Sequence, residues 1–260
     1  MSLDSRVVRD DWQRRQQEHG NAPRAVLMKG LHPLVNASID AWHRDVLRAV
    51  LRSDAAPPPG SCVLDLGCGF GRLADEVTKA GRTPIGIDFT SGFCSGFAAA
   101  HGIAVCGDQT ALPFADGAFD AAYSVTSLMY LKGEAVRRAL AELDRCLAPG
   151  GLLLVLEPCL EFNELVRALL PRKRSERLAM PGFAVGELQV LLPPGWQPVA
   201  AGHCRWLTLA LPMLVLATRW PSLYRWIAGM ALRLDRPRIN GRGAHGRLAM
   251  YRWTACRKDR

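Results

Sequence analysis

Hydrophobic residues follow a helical spacing in some segments of this chain and form short continuous runs in others. The alternation of these two kinds of segment predicts the secondary structure. Apolar residues at helical spacing predict a helix over 36–51, which the proline-rich run 54–60 ends. Short apolar runs then alternate with helical patterns. Strands are predicted at 61–66, 84–88, 104–106, 119–125 and 152–156, and helices at 72–80, 93–101 and 132–147. Continuous apolar strands are typical of a parallel sheet covered by helices on both faces, so an α/β protein is predicted.

The pattern loosens after residue 157. Helices are predicted at 161–170 and 186–192, and strands at 197–207 and 248–257. Between these two strands, an apolar stripe at helical spacing predicts a further helix; the stripe consists of Trp220, Leu223, Ile227, Met230 and Leu234. We therefore expect a helical insertion between the last two strands.

Three alternating glycines follow the first predicted strand. Gly67, Gly69 and Gly71 stand directly before the next helix. Glycine lets the backbone turn tightly and approach a ligand without a Cβ atom in the way. The spacing is not that of a dinucleotide fingerprint, whose third glycine would fall at Arg72, and the sequence has no phosphate-binding loop ending in Gly-Lys-Ser/Thr. An ordinary tight turn is the alternative to a binding site.

Asp88 ends the second predicted strand, about 20 residues after the glycines. An acidic side chain at this offset binds the hydroxyl groups of a ribose, whereas alone it would be typical of a helix cap. The carboxyl ends of parallel strands meet at one edge of a sheet, where open α/β sheets bind their ligands. The glycines and Asp88 together therefore favour a site for a nucleoside-containing cofactor.

Five motifs, in order, resemble the class I methyltransferases that use S-adenosylmethionine (SAM). They occupy 65–71, 86–89, 107–114, 119–120 and 149–151. The resemblance covers roughly residues 40–158 and is strongest to the branch of small-molecule and quinone-biosynthesis methyltransferases. It implies a Rossmann-like fold with a seven-stranded, mostly parallel sheet, helices on both faces and an N-terminal helical lid. It also implies SAM as the cofactor, S-adenosylhomocysteine as its product and no metal.

The resemblance further implies a domain organisation. We expect one methyltransferase domain over 1–260. Its N-terminal helices, 1–53, would form the lid, and 60–158 would form the SAM-binding core. The remainder, 159–260, would lie on the substrate side and contain the last two strands with a basic, apolar insertion at 207–246.

The positions that match the family's motifs are expected to bind SAM: Asp65, Gly67, Cys68, Gly69, Gly71, Asp88, Phe89, Asp108, Gln109, Ser124 and Val125. The resemblance implies that the glycine turn backs the methionine part of SAM and that Asp88 holds the ribose hydroxyls. Phe89 would pack against the adenine, or be only a core residue. Asp108 would hydrogen-bond the adenine amino group, and the end of the fourth strand would border the methyl-transfer site.

Methyl transfer from a sulfonium is an in-line displacement, so the protein must chiefly hold acceptor and cofactor in position. A hydroxyl or carbon acceptor would also need a general base. Tyr130, after the fourth strand, and Glu157, at the end of the fifth, are the candidate catalytic residues, with His203 and His245 as further candidates. A glutamate at such a rim is equally typical of a salt bridge, and a lone histidine of a solvated surface.

Composition places the chain among ordinary globular proteins, with 49% hydrophobic and 22% charged residues. Its eight cysteines form no CxxC pair, which predicts reduced thiols in a cytoplasmic protein. Residues 1–17 lack the apolar run of a signal peptide. The longest apolar run, 206–218, would span roughly 20 Å as a helix, less than the roughly 30 Å of a bilayer core, so no transmembrane helix is predicted.

Positive charge is concentrated in the last fifth of the chain. Residues 205–260 carry 12 basic residues against Asp235 and Asp259, whereas the rest is close to neutral. Three interpretations compete: an insertion packed on the core, a peripheral membrane contact through 206–236, and a nucleic-acid surface. Trp206, Trp220, Tyr224 and Trp226 with interleaved arginines are typical of a membrane interface. Nucleic-acid surfaces are usually richer in lysine, and this region has only Lys258.

The predicted function is transfer of a methyl group from SAM to a small-molecule or lipid-like acceptor, at O, N or C. One alternative is a tRNA or RNA methyltransferase that uses the basic C-terminal region. Another is a SAM-binding module without catalytic activity. A nicotinamide-dependent dehydrogenase is disfavoured by Arg72 in the glycine motif.

Overall fold

A computed structural model describes residues 5–171, 182–210, 214–237 and 248–259. The strands in these ranges are β1 (Cys62–Leu66), β2 (Thr83–Asp88), β3 (Ile103–Cys106), β4 (Phe119–Val125), β5 (Leu147–Pro158), β6 (Trp196–His203) and β7 (Tyr251–Lys258). The helices are α1 (Ser5–His19), α2 (Pro23–Val26), α3 (Pro33–Leu51), α4 (Ala74–Lys79), α5 (Ser91–His101), α6 (Glu134–Cys146), α7 (Leu160–Leu169), α8 (Glu187–Leu191), α9 (Trp206–Ala210), α10 (Leu214–Arg219) and α11 (Pro221–Leu234). A 3₁₀ turn spans Leu128–Tyr130.

The strands form one seven-stranded sheet in the order β3-β2-β1-β4-β5-β7-β6. β1 to β5 are parallel, and β7 is antiparallel to both β5 and β6, so β6 runs in the same direction as β1 to β5. The predicted mostly parallel sheet is therefore confirmed. The strand order reverses between β1 and β4, which places a crevice at their carboxyl ends, where ligands of such sheets bind.

Helices cover both faces of the sheet, as predicted. One hydrophobic core lies between the sheet, α3 and the C-terminal insertion; it includes Trp42, Tyr123 and Tyr251. The other core lies under α6, where Leu140 packs with Leu64 and Leu153. α6 owes this position to a strongly amphipathic sequence that places Val136, Leu140 and Leu143 on one face. The sheet is thus held rigid from both sides, which fixes its carboxyl edge.

α1 and α2, part of the N-terminal segment 1–53 that is expected to act as a lid, lie at that edge. We call these two helices the lid. α1 contacts α5, and two glycines of α5 allow the close approach. A Cβ atom at Gly92 would lie 2.4 Å from Cδ of Gln16, and one at Gly96 would lie 2.2 Å from Nδ2 of Asn21. The two glycines therefore accept side chains of the lid where any larger residue would push the lid away.

Three strand boundaries differ from the sequence prediction by three residues or more, and the start of β7, expected at 248 and found at Tyr251, is the smallest of these differences. The strand expected at 197–207 ends at His203, and α9 begins at Trp206. The buried carboxylate of Asp235 causes this change, because it accepts hydrogen bonds from the backbone N–H groups of 205, 206 and 207, which begin α9. β5 begins five residues earlier than expected, at Leu147, which pairs with Phe119 across a register shift.

The apolar stripe of α11 faces solvent and not the core. Four of its five members, Trp220, Leu223, Met230 and Leu234, are exposed, whereas Ile227 is half-buried. Trp226, beside the stripe, is also exposed. The buried side chains of α11 are Tyr224, Ala228 and Ala231, and α11 contacts α3 and α10. Small alanine side chains let α11 approach its neighbours closely, so the buried face is narrow and the larger apolar residues are left outside.

In the described ranges, no helix combines the length and the hydropathy needed to cross a membrane. All eight cysteines have free thiols, and Cys106 is exposed.

Candidate functional site

A cavity lies at the carboxyl ends of β1, β2 and β4, under the lid. The glycine turn, the end of β2, the segment after β4 and the lid contribute its lining: Trp12, Val26, Gly67, Cys68, Gly69, Arg72, Ile87, Asp88, Phe89, Phe93, Gly107, Gln109, Val125, Thr126, Ser127 and Tyr130. This is the crevice that the strand order predicts.

The glycine turn forms one wall of this cavity. Gly67 and Gly69 have φ of 72° and 53°, in the left-handed region that glycine adopts without strain. A Cβ atom on Gly67 would lie 2.0 Å from the Oγ atom of Ser127. The N–H groups of Gly67 and Cys68 both donate to the carbonyl of Ile87, at 2.9 and 3.0 Å. The turn is thus held against β2 and the segment after β4. At Gly67 there is no room for a side chain.

Asp88 presents its carboxylate to the same cavity. Oδ2 accepts a hydrogen bond from the N–H of Gly69 at 3.0 Å, and Oδ1 accepts one from the N–H of Thr90 at 2.9 Å. Each carboxylate oxygen has a second acceptor position. Burial raises the pKa of Asp88 above its usual value. The carboxylate is therefore oriented by the backbone and retains the capacity to accept two hydroxyl groups.

Asp65 lies buried below the glycine turn, outside the lining that the described residues give the cavity. The hydroxyl of Tyr123 donates to its Oδ2 at 2.6 Å. Burial raises the pKa of Asp65 to about 7, against the opposing effects of that hydrogen bond and of Arg72. A cation bound nearby would favour the ionised carboxyl, so this buried group suits a positively charged ligand.

Asp108 and Phe89 stand on the far side of the cavity, next to α1. The N–H and hydroxyl of Thr110 both donate to Oδ1 of Asp108 at 2.8 Å. Arg9 of the lid lies 3.7 Å from Oδ2 of Asp108 and 5.8 Å from the ring centroid of Phe89. Gln109 accepts a hydrogen bond from Ser127 at 3.1 Å. The lid thus contacts two residues expected to hold the adenine.

The structure separates the predicted cofactor residues into two groups. Those that line the cavity are Gly67, Cys68, Gly69, Asp88, Phe89, Gln109 and Val125, whereas Asp65, Gly71, Asp108 and Ser124 are outside its lining as the described residues define it. Gly71 allows close packing against α5, because a Cβ atom there would lie 2.4 Å from the ring of His101. Ser124 is buried and donates to Glu157 at 3.3 Å. The ligand contacts assigned to both groups stay predictions.

The two candidate catalytic residues occupy different places. Tyr130 lines the cofactor cavity and packs edge-on against Trp12, with ring centroids 5.7 Å apart. Burial raises the pKa of its hydroxyl. Glu157 is 2% exposed and lies behind the segment after β4, where its Oε1 accepts hydrogen bonds from the N–H groups of Ser127 and Leu128 at 3.1 and 2.9 Å. Of the histidine candidates, His203 lines a separate cavity, and His245 lies outside the described residues.

Several lining residues have no motif in the sequence. Trp12 and Val26 come from the lid, and Thr126 has φ of 58°, which is unusual for a β-branched residue and marks a constrained backbone. In the sequence, Arg72 stands out only because it departs from the dinucleotide fingerprint. It donates to Asp40 at 2.7 Å and contacts Nδ1 of His43 at 3.2 Å, which joins the glycine turn to α3.

These residues fit SAM. The glycine turn leaves backbone exposed without side chains, and Asp88 can accept two ribose hydroxyls. Asp65 is a buried carboxyl of β1, two residues before the first glycine of the turn. Within the described residues, no group of three or more His, Cys, Asp or Glu side chains is arranged to hold a metal ion.

Comparison with known proteins supports this assignment. Residues 64–155 match the family model described as a methyltransferase domain. The chain is 40% identical over 119 residues to a demethylmenaquinone methyltransferase of Mycobacterium tuberculosis, which covers 45% of this chain and 48% of the relative. With the corresponding Mycobacterium marinum protein it shares 37% identity over 151 residues, or 56% and 59% of the two chains. The chain therefore spans about half the length of the curated relatives it matches.

Solved structures show the same fold. A SAM-dependent methyltransferase of Thermotoga maritima, a possible histamine N-methyltransferase, superposes with a TM-score of 0.59 at 15% identity, over 96% of this chain and 99% of the other. A geranyl diphosphate C-methyltransferase of Streptomyces coelicolor gives 0.56 at 16% identity, over 85% and 80%. The motifs, the match of residues 64–155 to a methyltransferase domain and the sheet order together support a class I SAM-dependent methyltransferase.

Proposed function

We propose that this protein transfers a methyl group from SAM to a small, lipid-like acceptor. The observation that carries the proposal is the cavity at the reversal of strand order, where a glycine turn faces Asp88. The relatives are named for a quinone acceptor, which supports an apolar small molecule and does not favour RNA. The methyl group would go to an O, N or C atom of the acceptor.

When bound, SAM supplies an activated methyl group on a sulfonium. The protein's own contribution is to bind, orient and exclude water. Asp88 would hold the ribose, and Phe89 would pack against the adenine. Trp12 and Tyr130 form an aromatic wall on the lid side of the cavity, which would shield the transfer from water. Positioning of this kind accounts for much of the rate gain in such reactions, roughly 7–11 kcal/mol in well-oriented cases.

Tyr130 would act on the acceptor as a hydrogen-bonding group. Because burial raises the pKa of its hydroxyl, the group stays protonated at neutral pH and does not remove a proton readily. Glu157 lies behind the 126–128 turn and outside the lining of this cavity. We therefore assign positioning to Tyr130, and to Glu157 the support of the turn that lines the cavity.

Two measurements test the proposal. Calorimetry with S-adenosylhomocysteine should show binding to the full chain, and incubation with SAM and demethylmenaquinone should release S-adenosylhomocysteine. Binding without turnover on this or other quinone and polyprenyl acceptors would favour a non-catalytic SAM-binding module. Turnover on tRNA in place of lipids would overturn the acceptor class, and absence of binding would overturn the whole proposal.

We further propose that the protein meets its acceptor at an anionic membrane surface, through the exposed face of α9 to α11. The apolar residues of this face are Trp206, Leu209, Val215, Trp220, Leu223, Trp226, Met230 and Leu234, and Val215 and Trp226 are 68% and 66% exposed. Large exposed apolar patches mark interaction surfaces. Tryptophan is well suited to the boundary between lipid and water.

The charge of this face supports an anionic partner. Its arginines, at 205, 219, 225, 233 and 236, are all exposed. The acidic residue in the same stretch, Asp235, is buried and satisfied by the backbone of α9. Basic residues around an apolar face contribute about 1 kcal/mol each near anionic lipids.

The position of this face fits its role. β6 runs parallel to β1, so α9 leaves the sheet at the same edge where the cofactor cavity opens. β7 returns at that edge, beginning at Tyr251. An acceptor held in a bilayer under α9 to α11 would therefore lie on the active-site side of the protein.

Vesicle co-sedimentation tests the membrane contact. The full chain should bind vesicles that contain phosphatidylglycerol and should bind vesicles of phosphatidylcholine weakly. Arg219→Glu with Arg225→Glu should reduce binding at least tenfold. The matched control, Arg137→Glu with Arg138→Glu, changes exposed arginines of α6 on the opposite face of the sheet and should leave binding unchanged. Equal loss in both pairs, or a tRNA gel shift without vesicle binding, would contradict the proposal.

A further inference from the structure

Three of the free thiols lie close together at the ends of β2 and β3, beside the cofactor cavity. They belong to Cys68 of the glycine turn, Cys94 of α5 and Cys106, the last residue of β3. The proposed methyl transfer gives none of these thiols a chemical role. A cluster of thiols next to a binding site is a candidate for modification by oxidation.

The strand register places the sulfur atoms on the face of the sheet that α5 covers. A Cβ atom on Gly86 of β2 would lie 2.7 Å from Sγ of Cys68 and 3.0 Å from the ring of Phe97 of α5. Gly86 pairs with Ala104 in the parallel ladder of β2 and β3, so the two residues share a face. Side chains alternate along a strand, and Cys106 therefore points to the same face as Ala104.

Cys94 lies between the other two thiols. Its Sγ atom is 3.3 Å from the carbonyl oxygen of Asp88 and 3.4 Å from that of Val105, the residue before Cys106. Its side chain is also hydrogen-bonded to the thiols of Cys68 and Cys106. Cys94 and Cys106 are thus neighbouring thiols on two different elements, α5 and β3.

The two thiols of this pair differ in accessibility and in acidity. Cys106 is exposed, so a dissolved reagent reaches its sulfur, whereas Cys94 is 6% exposed. The hydrogen bond from Cys68 lowers the pKa of Cys94, and burial raises the pKa of Cys106. The thiolate is the nucleophile in thiol–disulfide exchange. An accessible thiol with a second, more acidic cysteine beside it is therefore typical of a redox-sensitive pair.

We propose that Cys94 and Cys106 form a reversible disulfide by exchange with a low-molecular-weight disulfide, and that this bond weakens the binding of SAM. In the first step the Cys106 thiol loses its proton, its sulfur attacks the reagent, and one small thiol leaves. The Cys94 thiolate then attacks the Cys106 sulfur of the mixed disulfide, and the second small thiol leaves. The protein loses two electrons and two protons, and the reagent gains them as two thiols.

The bond would act on the cofactor cavity through Asp88 and Phe89, which line it. The thiol of Cys94 contacts the carbonyl oxygen of Asp88, and that of Cys106 contacts the carbonyl oxygen of Phe89 at 3.4 Å. A disulfide has no hydrogen atom to donate, so both contacts lose their hydrogen bond. It also ties α5 to the end of β3, next to Gly107 of the cavity lining. The effect on binding rests on the proposed SAM site, whereas formation of the disulfide does not.

The first test treats the full chain with oxidised glutathione, alkylates the remaining thiols and maps the linked peptides by mass spectrometry. The expected product joins Cys94 to Cys106, and dithiothreitol should reverse it. Cys106→Ser should abolish the link, and its exposed position makes this variant a fair test if Cys94→Ser does not fold. Cys62→Ser, the matched control at a half-buried cysteine of β1, should retain the link.

The second test compares the reduced and oxidised chains by calorimetry with S-adenosylhomocysteine. Oxidation should weaken the affinity at least about threefold, as the loss of two weak hydrogen bonds requires. The same treatment should leave the affinity of Cys106→Ser unchanged.

Three results would overturn the proposal: a link between other cysteines, a mixed disulfide on Cys106 that persists in the parent chain, or equal affinities of the two forms. No binding by the reduced chain would overturn the SAM assignment and with it the effect on affinity. The peptide map would still decide whether the Cys94–Cys106 bond forms.

Discussion

The carboxyl edge of the sheet and the outer face of α11 differ in which side chains are buried. The first buries carboxyl groups, and the second exposes large apolar side chains. At the edge, the carboxyls of Asp65 and Glu157 are buried. On α11, Trp220 and Trp226 are exposed. Burying a carboxyl without a full set of partners costs free energy, and so does leaving large apolar side chains in water. The buried carboxyls lie beside the cavity proposed for SAM, and the exposed tryptophans belong to the surface proposed to meet an anionic membrane.

The largest effect is expected from truncating two aromatic residues of α11, one buried and one exposed. Tyr224 is buried in the core and Trp226 is 66% exposed, although only two positions separate them. Tyr224→Ala should lower the free energy of unfolding by about 3–5 kcal/mol, as for other large buried aromatics. Trp226→Ala should change it by less than about 0.5 kcal/mol, since surface truncations rarely do more. Denaturant unfolding measures both.

The vesicle assay should rank these two variants in the opposite order. Trp226→Ala should weaken binding to anionic vesicles severalfold while its unfolding is unchanged. Similar destabilisation by the two substitutions would mean that α11 packs through a different face from the one described.

At the cofactor cavity, Asp88→Ala should weaken binding of S-adenosylhomocysteine at least about 100-fold. The expected loss is that of two hydrogen bonds to a charged group, each worth about 1.5–3 kcal/mol. Asp88→Asn keeps an acceptor and should lose less. Calorimetry gives the affinities, with Asp116→Ala as the control, because that carboxylate is highly exposed and lies outside the cavity lining. An Asp88→Ala affinity equal to that of the parent would remove the basis of the ribose assignment.

The buried carboxyl of Glu157 should make stability depend on pH. Its pKa is raised from 4.5 to about 8 in the folded chain, so the folded state holds a proton that the unfolded state has released between these values. The free energy of unfolding should therefore decrease as pH rises from about 5 to 8 and stop changing through this group above 8. Glu157→Gln should reduce that decrease by an amount on the order of 1–3 kcal/mol. An identical pH profile would mean that Glu157 is ionised in the fold.

Gly67→Ala should have the smallest effect of the four. Its left-handed backbone costs about 1–2 kcal/mol for a residue with a Cβ atom, and that atom would lie 2.0 Å from Oγ of Ser127. We expect roughly a tenfold weaker affinity for S-adenosylhomocysteine by calorimetry. Ser127→Gly in the same chain removes the collision but not the backbone strain, so it should restore only part of the loss.

Local sequence signals were sufficient for the cofactor-binding half of the fold. The glycines at 67 and 69 shape the backbone of a turn, and the carboxylate at 88 stands at the end of a strand. A few neighbouring residues are enough to encode a turn and a strand end. The strands β1 to β4 and the apolar centre of β5 were predicted because each is a short apolar run bounded by turn residues. Their carboxyl ends meet at one edge in any parallel sheet, so the position of the cavity followed from the alternation of strands and helices.

Other parts of the site depended on contacts between distant residues. Trp12 reaches the cavity from a helix whose sequence carries no motif, and Asp235 ends a predicted strand about 30 residues away by capping α9. The unpartnered oxygen of Glu157 arises because Ser124, Ser127 and Leu128 all contact the other oxygen. Such features depend on which groups meet in space.

The sequence by itself determined the α/β fold, the order of its strands along the chain and the glycine turn with Asp88, because each rests on local backbone preferences and short-range periodicity. Only the tertiary structure decided that Tyr130 faces the cavity while Glu157 faces away, and that the large apolar residues of α11 face solvent. A periodic pattern specifies that a helix has two faces. Which face is buried depends on the neighbouring elements, because they set the volume that the side chains of the helix can fill.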